Sequence, residues 1–147
     1  MSIRDRIEAD IKEAMTRKEA DRLSVLRLLK NALHNRGIAD RTQALSEDTV
    51  LKVLKSEAKK RKEAMAAYQQ GNRPELAAQE AAELRIIESY LPAQLDEAAI
   101  GSIVDAVLAE QESVPQFGVV MKAVMARTKG QADGALVSQI LKTKLDA

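Results

Sequence analysis

Apolar residues that return every three or four positions, from Ile3 to Leu145, constrain this chain more than anything else in it. That spacing gathers them on one side of an α-helix, whereas a half-buried strand would alternate every second residue. Most of the residues between them are Ala, Glu, Lys, Gln and Arg, which are strong helix formers. The pattern breaks into seven segments, so the expected fold class is all-α. The first helix opens at Ser2, with Asp5 in capping-box position, and carries Ile3, Ile7, Ile11, Ala14 and Met15 on one face. The second spans about Asp21 to Arg36 with Val25, Leu26, Leu29, Ala32 and Leu33 as its stripe, and Gly37 stands where a left-handed cap is expected. Ser46 opens a third that reaches about Gln70 and stops at Gly71-Asn72. Pro74 sits in the first turn of a fourth, Glu75 to Tyr90, which ends ahead of Pro92 because the residue before a proline is pushed out of the α region.

Charge balance shifts at Pro92. Residues 1–92 hold 18 Lys+Arg against 15 Asp+Glu, and residues 93–147 hold 5 against 7. We therefore expect a domain boundary there, with an N-terminal helical domain over 1–92 and a C-terminal one over 93–147. In the latter, Asp96 caps a helix bearing Ile100, Ile103, Val104, Val107 and Leu108, and Ser113-Val114-Pro115 turns the chain. A sixth helix, Gln116 to Thr128, carries Val120, Val124 and Met125. A seventh, after Asp133, carries Leu136, Val137, Ile140, Leu141 and Leu145, and three such helices can close a small core.

Several chemistries are excluded by what is missing. Without cysteine there is no disulfide, thiolate metal site or Cys nucleophile, and the lone histidine, His34, cannot form a multi-His metal centre. No metal site and no cofactor are expected. There is no Walker loop, GxSxG elbow or HExxH motif, and the carboxylates scatter among lysines as helical ion pairs do, so no catalytic residues are expected. With no Trp, one Phe and two Tyr, bases have few platforms on which to stack. No apolar run approaches the roughly 20 residues of a membrane span. The segment Met1 to Ile11 lacks the apolar stretch of a signal peptide, and the expected location is the cytoplasm.

The charged faces carry the remaining information. On the third helix Lys52, Lys55, Lys59 and Lys62 fall together, opposite Val50, Leu54, Ala58, Met65 and Tyr68. Arg27, Lys30 and His34 cluster in the same way on the second. Such ridges can follow a phosphate backbone, but any soluble amphipathic helix shows a charged face, so the wheel alone favours solvation. If the two helices pack apolar face to apolar face, their ridges need not form one patch. Arg61 falls inside the apolar stripe and needs a carboxylate, from Glu57 one turn earlier or from Glu80 or Glu83; a structural ion pair is the expected role. In Lys129-Gly130-Gln131-Ala132-Asp133-Gly134, Gly130 can end the sixth helix and Asp133 can cap the seventh. An anion at those amides would meet Asp133, which favours a plain structural turn.

Taken together, Leu26-Arg27-Leu28-Leu29-Lys30, the Glu57 to Lys62 run, Tyr90-Leu91-Pro92-Ala93-Gln94-Leu95, Gly118-Val119-Val120-Met121 and Gly130-Gln131-Ala132-Asp133-Gly134 resemble the YqeY proteins, which are related to the tail of GatB. The resemblance covers nearly the whole chain. It implies two small helical domains, an N-terminal helical hairpin assembly followed by a C-terminal three-helix bundle. GatB is a subunit of the amidotransferase that amidates Glu-tRNA(Gln) and Asp-tRNA(Asn), and its tail takes part in binding tRNA. The resemblance thus implies a non-catalytic accessory protein that binds tRNA or amidotransferase components. Lys122, Arg127 and Lys129 near the glycine turn are the first candidate contacts, and Lys52, Lys55, Lys59 and Lys62 the second. A protein-interaction module with no nucleic-acid contact is the alternative, favoured if Phe117 and Met121 are exposed. Gln116-Phe117 stands where the family commonly carries an acidic residue.

Overall fold

The computed structural model describes residues 1–146, and among these it is all-helical. The elements are α1 (Ile3–Thr16), α2 (Ala20–Ala39), α3 (Glu47–Gln70), α4 (Pro74–Glu88), α5 (Glu97–Ala109), α6 (Phe117–Thr128) and α7 (Gly134–Asp146). They group into two compact units, the first Met1–Leu91 and the second beginning at Pro92. No helix among the described residues is long and apolar enough to cross a membrane.

In the first unit α1 packs along α2 and α3 packs along α4, with α2 against both members of the second pair. The core is aliphatic, built from Ile7, Leu26, Leu29, Leu33, Leu54 and Ile87, all at most 2% exposed. Each such side chain contributes roughly 1.5–3 kcal/mol by leaving water. Local signals set the ends of the helices. Ser2 Oγ accepts the Asp5 N–H at 3.1 Å while Asp5 Oδ2 accepts the Ser2 N–H at 3.0 Å, which closes the capping box on α1. Ser46 Oγ accepts from Thr49 N–H at 3.2 Å at the start of α3.

Two helix ends differ from the sequence expectation. Gly37 does not cap α2; the helix runs through it to Ala39, and Arg41 adopts the left-handed conformation instead, with φ 54°. The Thr42 N–H returns to the Gly37 carbonyl at 2.9 Å, so the chain folds back over this glycine. A Cβ at position 37 would lie 2.8 Å from the Thr42 carbonyl oxygen, so glycine serves close approach here and not positive φ. Helix α4 stops at Glu88, two residues earlier than expected. Its last turn tightens into i to i−3 bonds, Tyr90 N–H to the Ile87 carbonyl and Leu91 N–H to the Glu88 carbonyl, both 3.1 Å, as Pro92 forces the chain out of the helix.

The second unit closes α5, α6 and α7 around Ile100, Val104, Val107, Val120, Val124, Val137 and Leu141. Asp96 Oδ1 accepts from Ala99 N–H at 2.8 Å to cap α5, whereas Gln116 caps α6 with no side-chain bond. At the far end of α6, Lys129 takes the left-handed cap with φ 37°, and Gly130 follows at φ 84°. Asp133 Oδ1 accepts from the Ala135 N–H at 3.4 Å at the start of α7.

Candidate nucleic-acid interface

Helix α3 is anchored by Val50, Leu54 and Ala58, and that anchoring decides where its lysines go. Lys52, Lys59 and Lys62 are exposed and make no salt bridge among the described residues, whereas Lys55 is half-buried. Lys60 differs from them, since its Nζ lies 3.2 Å from Glu57 Oε1. On α2 the basic residues divide: Lys30 reaches Glu8 at 3.0 Å and Arg36 reaches Asp40 at 2.8 Å, while Arg27 and His34 are exposed.

Arg61 points the other way, into the α3–α4 contact. Its Nε lies 3.1 Å from Glu83 Oε2 and 3.8 Å from Glu80 Oε2, and its Nη2 lies 4.0 Å from Glu57 Oε2. Neither Arg61 Nε nor Glu80 Oε2 has a partner in hydrogen-bond geometry, so the cluster is held by charge more than by directed bonds. Burial, then the neighbouring Glu80, pushes the Glu83 carboxyl above the usual carboxylate range, with Arg61 opposing both. A second polar contact ties α1 to the end of α4: the buried Tyr90 donates its hydroxyl to Asp10, and Arg6 lies over the ring at 5.1 Å. Burial and the Asp10 carboxylate push the Tyr90 phenol well up, so it remains a donor.

In the second unit Lys122 and Lys129 are exposed and make no salt bridge among the described residues, while Arg127 is paired with Glu110. Lys122 and Arg127 stand five residues apart on α6, about 140° around the helix. The three candidates near the glycine turn therefore do not converge on one point, and one of them is already neutralised. One amide at the start of α7, that of Ala135, is engaged by the Asp133 side chain at 3.4 Å. Phe117 and Val119 are exposed and Met121 is half-buried, with Lys142 Nζ 6.0 Å from the Phe117 ring centre. Among the described residues no group of three or more His, Asp or Glu side chains could hold a metal ion.

One concavity was not anticipated. Residues of α2 and α3 line an open groove of about 1100 Å³. Leu23, Leu28 and Val53 form apolar parts of its lining, Asn31, Asn35 and Ser56 supply polar groups, and Arg27 and Lys52 line it from opposite helices. The basic faces of α2 and α3 thus meet in part, through these two residues. One sequence signal could have located the groove: Leu28 lies about 200° from Leu26 and 100° from Leu29 on the wheel, so the three cannot all enter one core.

A family model described as Yqey-like protein matches residues 4–145. No curated protein matches the chain.

Proposed function

The chain belongs to the YqeY family, and from that premise we propose that it is a non-catalytic accessory protein that binds tRNA, alone or as part of a tRNA amidotransferase assembly. One observation carries this reading. Lys52, Lys59 and Lys62 on α3, and Lys122 and Lys129 in the second unit, extend to solvent with no salt bridge to an acidic side chain among the described residues. Cations left uncommitted can neutralise phosphates and release their counterions. The resemblance of the chain to the GatB tail supplies the class of RNA. The contacts are to the phosphate backbone, since few aromatic residues are available for stacking and the near-zero net charge, +1, keeps the affinity modest. There is no cysteine nucleophile, and the lone histidine is exposed.

The test is a titration with unfractionated tRNA at several salt concentrations. Saturable binding that weakens with salt is expected. Converting Lys59, Lys62, Lys122 and Lys129 to Glu is expected to weaken it at least tenfold and to flatten the log–log salt slope by about 0.7–0.9 for each phosphate that is no longer neutralised. No saturable binding at low salt overturns the reading. A second reading, a protein-interaction module, is favoured by the exposed Val114, Phe117 and Val119 around the start of α6; a chain that binds no tRNA at low salt would move the assignment there, whereas a variant carrying all four Glu substitutions that binds tRNA unchanged would place the RNA contact on other residues.

A further inference from the structure

We propose that the α2–α3 groove is a docking site for an amphipathic, acidic helix of a partner protein, sharing only Lys52 with the lysines proposed above to contact RNA. A groove lined by residues of two helices offers a third helix both flanks, at the 8–10 Å axis separations of ordinary helix packing. Its volume of about 1100 Å³ exceeds what one or two side chains fill. Chemistry selects the occupant. Leu28 is 37% exposed on α2, and Leu23 and Val53 are half-buried beside it, a lining suited to apolar anchors spaced at i, i+3 or i+4 and i+7. Arg27 and Lys52 flank it from opposite helices with no acidic partner among the described residues, whereas Arg36 and Lys60, which also line it, are already held by Asp40 and Glu57. Carboxylates on the two flanks of an incoming helix complement these two cations. RNA is the poorer occupant, because no aromatic side chain lines the groove and its apolar part offers nothing to a base edge or a phosphate.

The experiment is selection of helical peptides of about 15 residues, roughly 22 Å of helix, from a randomised display library against the full chain. The expected winners carry apolar residues on one stripe and Asp or Glu beside it. The best synthetic peptide should lose about tenfold or more in affinity to a chain carrying Arg27→Glu and Lys52→Glu, and a similar factor to Leu28→Asn. All three positions are exposed, and unchanged circular dichroism and melting would certify the variants as folded. Leu28→Asn should leave tRNA binding as it was, which separates this proposal from the one above. A library that yields no enrichment, winners with basic flanks, winners indifferent to Leu28→Asn, or tRNA that competes for the groove and is itself weakened by Leu28→Asn would each overturn the proposal.

Discussion

The first unit hides charge where its helices meet, and the second keeps its charge outside. Arg61, Glu57, Glu80 and Glu83 retain between 12 and 27% of their side-chain exposure in the α3–α4 contact. The ion pairs of the second unit, Arg127 with Glu110 and Lys144 with Asp105, lie at 31 to 63%. The difference follows from what each unit has to specify. α3 and α4 are long neighbours rich in Ala and charged residues, and a slip of one turn between them would carry Arg61 away from Glu80 and Glu83. A guanidinium that must meet carboxylates at two fixed positions on α4 opposes such a slip, at some expense in desolvation. The three shorter helices of the second unit fix themselves through branched side chains and end caps. No buried charge is required there.

The sharpest way to break this contrast is Arg61→Ala. Glu80 and Glu83 would remain in a half-buried site with no cation, Glu57 keeping only Lys60, and the first unit should lose about 3–5 kcal/mol, read by hydrogen exchange on α3 and α4 with α5 to α7 unaffected. Arg61→Leu combined with Glu80→Leu and Glu83→Leu should restore or exceed the original stability, since an apolar contact replaces the cluster. If the single variant is silent, the cluster does not hold the two helices in register.

In the second unit the corresponding lesion is apolar. Leu141 is fully buried, and Leu141→Ala should cost about 2–5 kcal/mol. A unit of this size has little more than that to lose. Exchange protection should collapse through α5, α6 and α7 while the first unit keeps its own, which also tests whether the two units fold independently.

A smaller effect comes from pH. The Glu83 carboxyl titrates above its unfolded range, so the stability linked to it is fully present below the unfolded value of 4.5 and is lost as pH rises through the folded value. Glu83→Gln should remove that loss and flatten the stability profile of the first unit across mildly acidic pH, with no change in the second. A profile that keeps its shape in the variant would assign the dependence to other groups.

Much of the fold was legible because periodicity and caps act locally. Ser2, Ser46, Asp96 and Asp133 open their helices through bonds to residues two or three positions on, which a single sequence displays. The misplaced end of α2 is the opposite case. Gly37 resembled a cap, but what fixes it is a carbonyl five residues later packed where a Cβ would stand, an approach that exists only once the chain has turned. The site divides along the same line. That Arg61 lies on the apolar stripe follows from the wheel; that Glu83 is its nearest partner and that Arg127 is drawn to Glu110 depends on which helices become neighbours. The groove left only a partial trace, Leu28 off the apolar stripe, because its other wall depends on which helix lies beside α2.

The gentlest probe of the comparison lies at the start of α6. Gln116 has the extended backbone of an N-cap, φ −100° and ψ 130°, yet gives no side-chain bond to the amides of the first turn, although α5 and α7 in the same unit both open on aspartate caps. Gln116→Asp would place an acceptor at those amides and a negative charge at the positive end of the helix. Stability of the second unit should rise by about 0.5–1 kcal/mol at neutral pH. The gain should fade as the new carboxyl is protonated, and Gln116→Ala should change stability by less than about 0.5 kcal/mol. Because the aspartate acts within one turn of α6, the melting of the first unit should stay where it was; a shift in both units would mean that they share one cooperative transition, and the distinction between a charge-pinned and a cap-pinned unit would then describe their packing without describing how they unfold.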